Sequence, residues 1–501
     1  MIVCKFGGTS VKDAEALTRL AGIIKEMLEE RLDRKIIVVA SAMGKTTNGL
    51  LEAAYTAARG ERDKARQILR ELEKSHSDEA QKLGIVTHKD CAYCNCFSEH
   101  LKDEARQLLR ELEKKHSDEA HKLKVAGHDD CVYEKIYKYF SELHKLIKGI
   151  SALGELTMRI TDAVASYGEL LSTAILAQAL RNNGMDAVLM DARECIVTDE
   201  NFTRAAPIFG PTNAAIVRYL RPVLDVGKIP VFQGFIGRSQ NGVTTTIGRG
   251  GSDYTAAILG AALDAREIQI WTDVDGIMTT DPHIVEGARK IRAVSFREAA
   301  ELSYFGAKVL HPSTIIPAVR KNIPVRVLNS YRPKLKGTII TEKAPPCDNP
   351  VKAISSRGGA TIVNVVSTRM LMAYGFLEKI FEIFARYKVP VDVVSTSEVS
   401  VSLTVNDDSA LDNIIDELKK AGEVSVQKNR GIVCCVGDNL NNIQGALHTA
   451  LGALRDIKIY MISQGASAIN ITFVIDEDRM AEAVRGLHEA FFQKVDPRIF
   501  E

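Results

Sequence analysis

Four short stretches carry residue types able to handle a phosphorylated ligand. KFGGTSV (5–11) sets Lys5 just before two glycines. Gly7 and Gly8 let backbone N–H groups come close to a phosphate, Thr9 and Ser10 add hydroxyls, and a helix start behind them adds its dipole. The Lys5 ammonium would stand beside a transferring phosphoryl group. TTTIGRGGSD (244–253) brings Gly248, Gly250 and Gly251 before Ser252 and Asp253. It fails the dinucleotide pattern, because Asp253 stands where the third glycine belongs. A glycine-rich loop with an aspartate suits phosphate with Mg²⁺ better. WTDVDGIMTTDP (271–282) closes a strand in a turn, the end at which open α/β sheets place ligands, and FGAKVLHP (305–312) offers Lys308 as a second cation for a nucleotide.

Other signals are rejected. GKTT (44–47) lacks the earlier glycine of a P-loop, since Val39 occupies that place. Asp273 and Asp275 are followed too soon by Gly276 for a calcium loop. SAMGKTTN (41–48) remains a hydroxyl-rich turn for a polar substrate or a helix start. His88, Cys91, Cys94 and Cys96 have zinc-ligand chemistry, but the related downstream stretch keeps only His128 and Cys131, so free thiols are expected.

The elements that must position these residues alternate. Strands are expected at 2–6, 36–40, 187–190, 229–232 and 268–271, with helices at 161–182, 253–263 and 296–304. This pattern predicts a mainly parallel sheet covered on both faces. A stretch at 63–83 recurs at 103–123, inside a helical insertion at about 61–148. It is expected as an extra or protruding helical hairpin, away from the motifs above. APPCDNP (344–350), with three prolines in seven residues, reads as a linker. Beyond it, strands at 361–366, 389–394, 399–405 and near 423–427, with helices at 376–386 and 409–420, give a β-α-β-β-α-β order. A second such set follows at 432–492. The expected modules are 1–345, 351–430 and 431–501.

The 501 residues hold 65 Lys+Arg against 64 Asp+Glu, with 46% hydrophobic residues. Such a balance gives no field for nucleic acid or an anionic membrane. No apolar run reaches the length of about 18 residues that a transmembrane helix needs. The N-terminus MIVCKFGG lacks a signal-peptide core, so a cytoplasmic protein is expected.

Taken together and in order, KFGGTSV, SAMGKTTN, SYGELLST (166–173), the GFIG–TTTIGRGGSDYTAA stretch (234–257), WTDVDGIMTTDP and FGAKVLHP resemble aspartate kinases of the amino acid kinase fold. GFLEKIFEIFAR (375–386), VDVVSTSEVSVSLT (391–404) and ISQGASAINITF (462–473) resemble the paired ACT domains of their monofunctional, lysine-sensitive class. The resemblance implies transfer of the ATP γ-phosphate, with Mg²⁺ held mainly by ATP, to the side chain of L-aspartate. The product is 4-phospho-L-aspartate, on the route to lysine, threonine and methionine. It implies Lys5 and Asp253 as catalytic, with Gly7, Gly8, Thr9, Ser10, Gly250 and Gly251 on phosphate. Ser41, Thr47, Glu169, Arg204 and Ser252 would hold aspartate. Thr272, Asp273, Met278, His283 and Lys308 would line the nucleotide site. Val197 stands where such relatives often carry a carboxylate-pairing arginine, which makes Arg204 the substitute. Met278 and His283 replace Tyr and Arg. An effector, lysine before threonine, would meet Met370, Ala373, Phe376, Leu377, Val391, Asp392, Ser397 and Glu398. A homodimer or larger assembly through the ACT domains is implied. The alternatives are a glutamate or acetylglutamate kinase, which lacks tandem ACT modules, and a catalytically silent amino-acid sensor, against which Lys5, Asp253 and Lys308 argue.

Overall fold

The computed structural model describes residues 1–30, 35–85, 132–305, 312–368, 374–438 and 440–501. They form two compact units. One comprises Met1–Asp273, Thr314–Val325 and Asn329–Pro333, the other Val274–Ser313, Arg326–Leu328 and Lys334–Glu501.

The first unit holds strands β1 (Ile2–Phe6), β2 (Ile36–Ala40), β3 (Ala187–Met190), β4 (Val197–Thr198), β5 (Ile229–Gln233), β6 (Ile236–Ser239), β7 (Thr244–Thr246) and β8 (Glu267–Thr272). Five pair in parallel in the order β3-β5-β2-β1-β8, as the strand–helix alternation predicts. Every residue of β1 and β2 is buried, which is why IVCKF and IIVVA read as unbroken runs rather than alternating ones. β6 and β7 form a hairpin, with β4 on its other edge. Three helices precede the break in description: α1 (Ala14–Glu29), α2 (Thr46–Ala58) and α3 (Arg62–Lys82). The Asp13 carboxylate caps α1 by accepting the Ala16 N–H at 2.8 Å. The helix Met158–Asn182 is long and apolar enough by composition to cross a bilayer, but 83% of that window is buried inside the fold, where the composition serves the core.

α3 carries the first copy of the repeated stretch, and it does not protrude. Ala65, Leu69, His76 and Ala80 are buried, and it packs on α2 and on the helix Val132–Leu153. The amphipathic stripe is therefore core-facing. The second copy and the His/Cys cluster (His88, Cys91, Cys94, Cys96, His128, Cys131) lie outside the described residues.

In the second unit, β9 (Ala293–Ser295) and β11 (Thr338–Thr341) pair in parallel; β10 is Val325–Asn329. A six-stranded antiparallel sheet follows, built from β12 (Ala353–Val366), β13 (Val394–Thr396), β14 (Ser400–Val405), β15 (Glu423–Val436), β16 (Ile459–Ser463) and β17 (Asn470–Asp476). Its order is β13-β14-β12-β15-β17-β16. Two expectations change here. The division at 430/431 falls inside β15, a single 14-residue strand. β12 is equally long and serves both halves: 361–366 pairs with β14 and the start of β15, while 353–357 pairs with 432–436. A register shift between Arg357 and Ile362 separates the halves. The strand expected at 389–394 is reduced to β13. Lys388 takes a left-handed φ of 55°, and Val389 N–H bonds back to the Phe384 carbonyl at 3.0 Å, so this stretch first closes a helix.

Compactness also changes earlier than the proline-rich linker suggests. Ile354 N–H donates to Thr279 O at 2.7 Å, and the Thr279 hydroxyl meets His488 Nε2 at 3.0 Å. Lys352 and Glu298, each 1% exposed, pair at 2.9 Å. Removing one member of a buried ion pair strands the other charge. Lys352→Met should therefore lower unfolding stability by about 3–5 kcal/mol, read by denaturant titration, and more than Glu298→Gln combined with Lys352→Met.

Candidate active site

Lys5 lies near the carboxyl end of β1, whose buried neighbours fix the backbone that carries it. Its ammonium is 2.7 Å from Asp253 Oδ1, and the residue is only 9% exposed. Asp253 sits in the first turn of the helix Gly251–Ala262, which starts from Gly250 at φ 72°. Gly248 likewise has φ 78°. These left-handed positions need glycine, and the Gly251 N–H donates to the Gly248 carbonyl at 3.0 Å to close the turn that starts the helix. A cavity of about 270 Å³ opens here, lined by Lys5, Ser41, Thr47, Glu169, Phe235, Gly248, Arg249, Gly250, Gly251, Ser252 and Asp253.

The turn after β1 faces the loop after β2 closely. Gly44 N–H donates to Gly8 O at 3.1 Å, and a Cβ on Gly8 would lie 3.1 Å from the Ala42 carbonyl. Ser41 Oγ donates to Ser252 Oγ at 2.9 Å, joining residues 211 positions apart. Gly168 admits the same loop, since a Cβ there would lie 2.7 Å from Thr47 Oγ1. One expected phosphate ligand faces elsewhere. Ser10 is buried, and its hydroxyl meets Trp271 O at 3.3 Å and Ser330 Oγ at 2.8 Å, so it ties the turn to the fold. Thr9 is exposed.

Glu169, on the helix Met158–Asn182, is 4% exposed. Its Oε1 accepts the Ala42 N–H at 3.2 Å, while Oε2 is buried with no hydrogen-bond partner among the described residues. Burial pushes its carboxyl up to about 8, against a smaller opposing effect of the Ala42 N–H. An acceptor left open on a cavity wall is suited to a cationic group of a ligand.

Three residues escaped the sequence reading. Arg249 and Phe235 line the cavity. Asp162 is buried, and its carboxylate accepts the Thr246 hydroxyl at 2.6 Å and the N–H groups of Thr246 and Thr203 at 2.9 Å each. It thereby holds the loop that carries Arg204. Arg204 itself is exposed and outside the cavity lining, its Cα 3.6 Å from where a Cβ on Gly248 would sit. Arg249, flanked by glycines in TIGRGG, had a readable signal as a cation held on the phosphate loop.

Thr272 and Asp273 stand at the end of β8, with the Thr272 hydroxyl donating to Asp273 at 3.1 Å. Neither lines the cavity. Met278 and His283 belong to the second unit, where His283 is exposed and its Nδ1 lies 2.9 Å from Asp281. Lys308 lies outside the described residues.

Of the expected effector positions, Met370 and Ala373 also lie outside the described residues. Leu377, Ser397 and Glu398 are exposed, and Phe376 and Val391 half-buried. The Asp392 carboxylate is not open. Arg357 pairs with it at 2.7 Å, Tyr304 and Asn406 donate to it, and its side chain is 4% exposed. Tyr304 ends the helix Phe296–Tyr304, so this cluster fastens that helix to the sheet. A ligand ammonium would have to displace Arg357 to reach Asp392.

Residues 1–329 match the amino acid kinase family, and residues 363–413 and 433–491 match the ACT domain. The chain is 37% identical to aspartokinase 1, chloroplastic, of Arabidopsis thaliana, over 99% of this chain and 80% of that protein. It is 33% identical to the lysine-sensitive aspartokinase 3 of Escherichia coli, over 98% of this chain and 99% of that one. The crystal structure of E. coli aspartokinase III with aspartate and ADP superposes with a TM-score of 0.79, covering 98% of this chain and 100% of that chain at 33% identity.

Proposed function

The chain belongs to the aspartokinase family, and from that premise we propose that the cavity between Lys5 and Glu169 is where L-aspartate receives the γ-phosphate of ATP. The observation that carries this is the Glu169 Oε2 atom, buried without a hydrogen-bond partner among the described residues on the wall of the cavity that also holds the Lys5–Asp253 pair. Glu169 takes the substrate ammonium. Ser41, Thr47 and Ser252 present hydroxyls to the rest of the amino acid, and Arg249, with Arg204 behind it, meets the α-carboxylate. A side-chain carboxylate oxygen attacks the γ-phosphorus, the bond to the β,γ-bridging oxygen breaks, and ADP leaves. Such transfers need mainly positioning and charge neutralisation. The Lys5 ammonium and the N–H groups of Gly8 and Gly250 supply these at the transferring group, while the Gly7 and Gly251 N–H groups donate to the Trp271 and Gly248 carbonyls and hold the two loops in shape. Asp253 orients Lys5.

Mg²⁺, carried on the phosphates, would neutralise further charge there. The nucleotide's oxygens would be its main ligands, with the Asp253 carboxylate on the cavity wall as a candidate protein ligand. Thr272, Asp273, Met278, His283 and Lys308 are proposed for the nucleotide.

The ACT domains are proposed to bind an inhibitory amino acid. Lysine is favoured by the name of the E. coli relative, with threonine second. The reaction would then open the route to lysine, threonine and methionine, in a homo-oligomer joined through these domains. The test is ATP- and Mg²⁺-dependent hydroxamate formation from L-aspartate, run with lysine or threonine added. Aspartate-dependent product, suppressed by lysine in the millimolar range or below, is expected. Suppression by threonine alone would reverse the effector assignment, and no product from aspartate would overturn the substrate.

A further inference from the structure

The loop 41–47, which presents Ser41 and Thr47 to the cavity, is held from the inside by hydrogen bonds to Ser252, Glu169 and Gly8 and by the Ser41 N–H donating to the Phe6 carbonyl at 3.1 Å. Its outer side carries the buried Met43 and Thr46, each 4% exposed, beside open space. A second cavity of about 380 Å³ lies there, lined among others by Lys12, Met43, Gly44, Lys45, Thr46 and His76. One side chain bridges this space at the start of α2. His76 of α3 is 3% exposed; its Nδ1 lies 2.7 Å from the Leu72 carbonyl, and its Nε2 lies 3.2 Å from Thr46 Oγ1. A carbonyl only accepts, so Nδ1 donates. In the neutral ring Nε2 is then an acceptor, and the Thr46 hydroxyl is shared between it and the Met43 carbonyl at 2.6 Å. The ring stands edge-on to Phe140 at 6.1 Å, which fixes its plane. Two further contacts seat α3. Glu79 Oε2 accepts the Ala14 N–H at 2.7 Å, and Gly49 leaves room for Leu72, whose methyl would lie 3.2 Å from a Cβ there.

We propose that His76, contributed by the first copy of the repeated stretch, is a positioning residue for aspartate: it pins Thr46 beside the 380 Å³ cavity and so fixes where Thr47 and Ser41 meet the substrate. The proposal rests on the reading of the 270 Å³ cavity as the aspartate site. With open volume beside it, Thr46 loses its side-chain hydrogen bond to α3 when this contact is removed, and the loop gains room to shift. The repeated stretch is thus part of the catalytic scaffold in its first copy.

Steady-state kinetics on the full-length His76→Ala, His76→Gln and Thr46→Val proteins test it. His76→Ala should raise the aspartate KM about 3- to 10-fold, the worth of one hydrogen bond, and leave the ATP KM within about twofold. Glutamine reaches the Nε2 position, so His76→Gln should restore most of the affinity. Thr46→Val should reproduce the defect, and adding His76→Ala to it should add little. If His76→Ala does not fold, the glutamine and valine variants carry the test. An unchanged aspartate KM, an equal rise in both KM values, or a glutamine variant as impaired as alanine would overturn the proposal. If instead the wild-type enzyme shows an aspartate KM that Glu169→Gln does not move, the aspartate-site reading fails. The His76 proposal fails with it.

Discussion

Lys5→Ala is expected to lower kcat for phosphoryl transfer about 10³-fold, the loss typical of removing one preorganised group from a charged transition state. Lys5 is carried on β1. Its five buried residues fix the strand, and the strand delivers a single ammonium to the cavity floor, 2.7 Å from Asp253. Among the described residues no other lysine lines that cavity. The phosphate's equatorial oxygens gain negative charge during transfer, and a cation already in place costs no reorganisation. The variant also leaves Asp253 without its ion-pair partner, so stability must be measured beside rate. The Lys5→Ala/Asp253→Asn double variant should recover stability but not kcat. A kcat within about tenfold of wild type in Lys5→Ala would remove Lys5 from the chemistry.

Glu169→Gln should raise the aspartate KM by about 30-fold or more, because a carboxylate–ammonium pair in a dry site is worth some 2–5 kcal/mol. Its pH behaviour is as telling as its size. Burial raises the Glu169 carboxyl to about 8 in the free protein, whereas the substrate ammonium needs the carboxylate. Below pH 8 the wild-type enzyme must release a proton to take up aspartate, so kcat/KM for aspartate should climb about tenfold per pH unit towards 8 and then level. The slope should vanish in Glu169→Gln.

Stability follows the same shift. A carboxyl raised by folding favours the folded state while it is protonated. That contribution is complete below the unfolded value near 4.5 and disappears as pH rises through about 8. Glu169→Gln should therefore melt higher than wild type at pH 9 and close to it at about pH 4. Identical differences at both pH values would mean that Glu169 is not buried in this way.

What the sequence made legible was local. The paired glycines after an apolar run mark the β1 turn, and Gly250–Asp253 mark a helix start. Both hold because glycine's conformational freedom is a property of the residue itself. The parallel sheet was legible because two-sided burial leaves unbroken runs such as IIVVA. What stayed hidden depends on partners far along the chain. Ser41 meets Ser252, and Asp162 holds Thr246, 84 positions away. Glu169 acquires its open, buried oxygen only when Ala42 is brought against its helix. His76 reads in sequence as one more polar residue on a charged helix, and its partner Thr46 lies on the other side of a turn. The continuity of β15 was concealed by KNRG at 428–431, polar enough to look like a loop, yet paired on both sides of the register shift. Asp392 read as a free carboxylate because Arg357 and Tyr304 reach it from separate segments.

The reading of the site turns on what the open Glu169 oxygen recognises. The direct measurement is phosphoryl transfer from ATP to L-aspartate and to N-acetyl-L-aspartate, which lacks the ammonium, in wild type and Glu169→Gln. Wild type should prefer aspartate by about 10²-fold or more in kcat/KM, and the glutamine variant should lose most of that preference by failing on aspartate alone. Equal discrimination in the two proteins would contradict the assignment of Glu169, and with it the placement of aspartate in this cavity.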